Sequence, residues 1–119
     1  MMRNIKYLVV LFLVNQSCVY QNAEDLYPNS SCDTLNMSFV RDVYPVIQVQ
    51  CNSCHDAANQ FGGVNLEGYE NVKQYAFGSM VTTISQPTGG RLAMPPSGKM
   101  PDCTVKKITA WVNQGAKDN

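Results

Sequence analysis

The 119-residue chain has room for one small domain once its ends are set aside, and its nine basic and nine acidic side chains balance to zero net charge. Without Arg3 and Lys6 of the N-terminal leader, seven basic and nine acidic residues remain, a mild acidity that gives no electrostatic footprint for nucleic acid. Ordinary apolar content without repeats or low-complexity runs fits a globular domain, and one of fewer than about 100 residues has a marginal core that usually needs a staple.

Residues 1–18 have the pattern of an export signal, with Arg3 and Lys6 as the positive region and the unbroken run from Tyr7 to Val14 as the apolar one. That run is far shorter than the roughly 20 residues needed to cross a bilayer, so it predicts processing rather than a span. Cys18 follows soon after, with no small-x-small cleavage pair nearby. It resembles the lipidated cysteine of a bacterial lipoprotein, although Asn15-Gln16-Ser17 lacks the leucine usual three positions before it. Acyl chains on Cys18 would then attach the protein to a membrane. The alternative is a plain secreted protein with a spare thiol. Residues 19–31 are polar, rich in turn formers and without period, and predict a tether.

The domain is expected over residues 32–119. Cys32 opens it and has a candidate disulfide partner in Cys103, since exported proteins fold where disulfides persist. Two free buried thiols are the alternative. Ser38 is the predicted N-cap of a first helix. Phe39, Val40, Val43, Ile47 and Cys51 follow at three- and four-residue spacings as its apolar face, and Pro45 predicts a kink or two short joined turns.

Cys51-Asn52-Ser53-Cys54-His55 carries the chemistry. Two cysteines three apart followed at once by histidine form the attachment sequence of a c-type haem. Each thiol can close a thioether to one vinyl group of the porphyrin, and the histidine is then held under the iron as its proximal ligand. A zinc site needs four ligands. With His55 the only histidine, the fourth would have to come from Cys18, Cys32 or Cys103. A dithiol redox motif needs a βαβ surrounding, and the pattern shows none. Zinc and dithiol chemistry stand as alternatives to one covalent haem c.

After His55 the pattern predicts one short turn, a break at Gly62-Gly63, and a loop through Val64 and Leu66. The glycines serve either close passage of the backbone by a porphyrin or an ordinary turn. Tyr69, Val72, Tyr75 and Ala76 predict a helix over 67–77 with Gly78 as its stop. Residues 79–84 predict a further short helix or turn, followed by a Gly/Pro/Thr-rich loop over 85–90. In the next segment Met94 precedes Pro95 and Pro96, which stiffen a non-helical loop. One histidine cannot supply bis-histidine ligation, so Met94 is the expected sixth iron ligand, with Met100 the runner-up and an open site the alternative. Met37 and Met80 are expected in the core. The last helix is predicted from Asp102 as N-cap to Gln114, with Val105, Ile108 and Val112 as its face, Trp111 beside it as a core anchor, and Gly115 as its stop.

From about Cys32 to Ala116 the chain resembles a small monohaem c-type cytochrome domain, similar to those on exported lipoproteins of the Bacteroidetes type and to planctomycete-type cytochrome modules. Pro45-Val46-Ile47 before the haem motif carries the resemblance, together with Gly63-Val64-Asn65-Leu66, Gly68-Tyr69, Met94-Pro95-Pro96, and Ile108, Trp111, Val112, Gly115 and Ala116 in order. Met100 stands where such domains often have leucine. The resemblance implies an all-α, cytochrome c-like fold of short helices with the N- and C-terminal helices packed together, His55 and Met94 as axial ligands, and one-electron transfer rather than enzymatic turnover. The implied partners are redox proteins on the periplasmic side of a membrane or at the cell surface, with no small-molecule substrate. A haem-based sensor, a peroxide-reactive haem, and a structural haem subunit are the rival functions.

Overall fold

The computed structural model describes residues 32–87 and 89–119. The predicted signal, Cys18 and the tether of residues 19–31 lie outside the described residues. Among those described the fold is all-α, without strands, and no helix is long and apolar enough to cross a membrane.

Ser38 caps the first helical segment, its Oγ accepting the Arg41 N–H at 3.3 Å while Asp42 Oδ2 accepts the Ser38 N–H at 2.9 Å. This reciprocal pair satisfies donors that a helix start leaves without intrahelical partners. The Ser38 N–H is the main reason the Asp42 carboxyl is held below its ordinary 3.8; desolvation opposes the shift and Arg41 adds to it. The segment opens as a π-helical turn, Phe39–Val43, and runs directly into α1, Tyr44–Gln50. Pro45 sits in the first turn of α1, where a missing N–H costs little. The expected break at Pro45 therefore takes the form of a change in winding. Val40 is a correction: it is 64% exposed, and the apolar face is the i, i+4 row of Phe39, Val43, Ile47 and Cys51. In the wider π turn Val40 is carried off that row.

The helical turn α2, Asn52–His55, follows α1 through Cys51. Cys51 closes α1 through its N–H to the Ile47 carbonyl at 2.9 Å, and its own carbonyl accepts the N–H groups of Cys54 and His55 at 3.1 and 3.0 Å. A 3₁₀ turn, Phe61–Gly63, leads to α3, Tyr69–Tyr75, then a π segment, Ala76–Met80, and α4, Val81–Ile84. Gly78 is thus not a stop. With φ −107° and ψ −111° it bends a helical arm that resumes beyond it.

The last helix, α5, spans Asp102–Asn113. Its N-cap is Pro101, and Asp102, expected there, is instead the first helical residue and pairs with Lys99 at 2.6 Å. Proline ends the preceding loop in an extended conformation, so the helix starts at the next residue. At the other end the Ala116 N–H reaches the Trp111 carbonyl at 2.9 Å and the Gly115 N–H reaches Val112 at 3.0 Å, with Gly115 at φ 97°. That is a Schellman stop, with glycine where the left-handed residue is required. The buried stripe of α5 is Ile108 and Trp111, while Val105 and Val112 are only half-buried.

α5 packs on the Phe39–Val43 turn, as expected for the terminal helices. Phe39 meets Tyr69 edge-on at 5.1 Å and Trp111 at 5.5 Å, and Val43, Ile47, Val72 and Ile108 complete the fully buried centre. Met37 and Met80 are buried, as expected. The Trp111 indole N–H donates to the Lys117 carbonyl at 2.9 Å and the Tyr69 hydroxyl to that of Ala116 at 2.8 Å, so the aromatic centre leaves no orphan polar group.

Cys32 and Cys103 are disulfide-bonded across 71 positions, joining the start of the domain to the first turn of α5. Long-loop cross-links chiefly restrict the unfolded chain. The double substitution Cys32→Ala/Cys103→Ala is expected to lower unfolding free energy by about 2–5 kcal/mol in urea titrations. An unchanged midpoint would contradict this.

Candidate functional site

Between α1, α2, the α3–α4 arm and the loop before α5 lies an apolar cavity of about 300 Å³. Small-molecule sites begin at roughly this size and share this mostly apolar lining with a few placed polar groups. Cys51, Cys54, His55, Met94 and Met100, all singled out from sequence, line it. Gln50, Tyr75, Ser79 and Thr83 add neutral polar groups, and among the described residues no lysine, arginine or carboxylate faces it.

The Ile47–Cys51 row of α1 sets one wall, and the reorientation at Cys51 turns both Cys54 and His55 toward the same space. Both thiols are half-buried and unpaired. Burial pushes the Cys51 thiol up to about 11, so it is a neutral thiol at physiological pH. Exchange-active dithiols are shifted in the opposite direction.

His55 is fixed from two sides. Its carbonyl accepts the Leu66 N–H at 2.6 Å, and its ring Nδ1 lies 3.3 Å from the Val64 carbonyl oxygen. A carbonyl can only accept, so the contact selects the tautomer with the proton on Nδ1, and in the neutral ring Nε2 then carries the free lone pair. The loop through Val64 and Leu66, predicted without a role, is what orients the histidine.

Met94 lies in the expected non-helical loop, and its N–H donates to the Thr83 carbonyl at 3.1 Å. Thr83 is in the last turn of α4, where carbonyls lack intrahelical partners, so one contact completes the helix end and anchors the loop. Met94 is 39% exposed and Met100 only 4% exposed, although both reach the cavity. Met80, expected as core, also lines it.

The Gln60–Gly63 turn has three left-handed residues, Gln60, Gly62 and Gly63 at φ 36°, 66° and 75°. A Cβ on either glycine would meet no protein atom within 4 Å, so within the protein these glycines serve the backbone path. Gly62 also lines the cavity, so both uses expected for these glycines remain compatible with the turn. Sequence reasoning missed Phe61 and Thr83: a lone aromatic before a Gly-Gly turn has no periodicity, and Thr83 acts through its backbone.

Among the described residues no three His, Cys, Asp or Glu side chains converge into a group able to hold a metal ion. Cys51, Cys54 and His55 therefore share a wall without forming the tetrahedral donor set that zinc requires. Among the described residues, fold and site define an all-α domain around an apolar cavity without charged side chains, walled by two thiols, an imidazole and thioethers. No family model matches the chain, and neither curated proteins nor solved structures show significant similarity to it.

Proposed function

We propose that the chain is a monohaem c-type cytochrome with a cytochrome c-like fold that carries single electrons between redox proteins. The observation that carries this reading is the meeting of Cys51, Cys54, His55 and Met94 on the wall of one apolar, charge-free cavity. These residues fit a covalently held porphyrin. Cys51 and Cys54 stand one helical turn apart, and each would add its S–H across one vinyl group, sulfur to one carbon and hydrogen to the other. His55 offers Nε2 from a ring held at Nδ1. Met94 offers a thioether from a loop held by Thr83 and stiffened by two prolines.

When bound, the haem supplies the one-electron couple of its iron. The apolar wall limits water around that couple, and thioether ligation by Met94 would raise its potential relative to bis-histidine ligation. Partners would meet the domain through a small, transient patch. Export by residues 1–18 and lipidation of Cys18 would hold the carrier at a membrane, with residues 19–31 giving it reach.

A second reading, a haem that binds small ligands as a sensor or reacts with peroxide, draws on the 39% exposure of Met94. The absorption spectrum of the reduced protein separates the two. A low-spin ferrous spectrum that carbon monoxide perturbs only slowly is expected for the carrier. A high-spin spectrum with immediate carbon monoxide binding would overturn it.

A further inference from the structure

Phe61 is a large aromatic side chain that is 60% exposed, yet it lines the cavity beside the residues assigned to the prosthetic group. Isolated exposed aromatics are ordinary on protein surfaces. This one stands on a turn built to hold it. The residues around it take left-handed conformations, Gln60 among them although it is not glycine. The turn is closed by the Gly63 N–H to the Gln60 carbonyl at 2.8 Å, and the Tyr75 hydroxyl donates to the Gly63 carbonyl at 3.4 Å. Its next residue, Val64, accepts the His55 ring proton. The same short stretch therefore fixes the imidazole and sets Phe61 at the cavity.

We infer that Phe61 is a cover residue, its ring lying against the edge of the bound haem and excluding water there. This rests on the haem reading above. Among the described residues the rest of the lining carries no charged side chain, so water contact at this edge is an electrostatic variable that Phe61 itself controls. Oxidised iron carries one more positive charge than reduced iron, and water favours the more highly charged state. Removing the ring lowers the reduction potential, whereas keeping an apolar side chain of reduced size retains part of the effect.

The test compares potentiometric titrations of haem-loaded full-length protein with Phe61, Phe61→Leu and Phe61→Ala. Carbon monoxide binding to the reduced proteins confirms that ligation is common to all three. The expected result is a potential that falls from wild type through leucine to alanine, with a parallel rise in the rate of reduction by a small water-soluble reductant. Equal potentials and equal rates in three proteins with the same low-spin spectrum would overturn the inference while leaving the haem reading intact. Wild-type protein that acquires no covalent haem overturns both. If Phe61→Ala does not accumulate, Phe61→Leu against wild type decides by the same criterion.

Discussion

Replacing Cys51 and Cys54 together with serine is expected to abolish covalent haem in protein produced with haem-attachment machinery. Serine keeps nearly the same volume on the cavity wall, but its hydroxyl is too weak a nucleophile to close the bond to a vinyl group. The effect is all or none in denaturing gels stained for haem, because a porphyrin without thioethers is released when the chain unfolds. Each single substitution leaves one attachment point and is expected to give less, but still covalent, product. The double variant should also unfold at lower denaturant concentration than the loaded protein, since the small core then lacks its staple. Covalent haem in the double variant would contradict the assignment of these thiols.

Met94→Ala is expected to have the second large effect, and Met100→Leu separates it from a packing defect. Loss of Met94 should convert the reduced protein from low to high spin, open the iron to carbon monoxide and lower the potential. Met100 is 4% exposed in the same wall, so its removal acts first through packing. Met100→Leu roughly conserves volume and should cost less than about 1.5 kcal/mol with the spectrum unchanged, whereas Met100→Ala should cost about 2–5 kcal/mol. A low-spin Met94→Ala protein beside a high-spin Met100→Leu protein would exchange the two roles.

What could be read from the residues alone was decided by local chemistry. Ser38 as a cap, two helical segments joined near Pro45, and the stop at Gly115 follow from donors, ring constraints and backbone angles that belong to single residues. The pairing of Cys32 with Cys103 followed from the expectation of an exported chain, in whose compartment disulfides persist, and the bond is present. The misreadings had tertiary or conformational causes. Gly78 has the chemistry of a stop, and periodicity cannot distinguish an end from a bend in a helix that continues. Val40 obeys the helical spacing but leaves the core in a π turn. Asp102 is a good cap by type, yet Pro101 takes that position.

The site was legible as a set of residues and not as an arrangement. Cys51, Cys54, His55 and Met94 could be named from type and spacing, because each bond they would make depends on one functional group. The devices that hold them could not: the Val64 carbonyl at His55 and the Thr83 carbonyl at the Met94 amide are backbone groups, identical in every residue type. Phe61 escaped notice because its place on the cavity wall depends on where a glycine-rich turn displays it.

The central claim is that one haem is bound covalently through Cys51 and Cys54. The most direct test is the intact mass, under denaturing conditions, of the protein matured alongside haem-attachment machinery. A mass above that of the processed polypeptide by one haem, lost when both cysteines are serine, is the expected result. A wild-type mass accounted for by the polypeptide and any lipid alone, with both thiols free to alkylate, would contradict it.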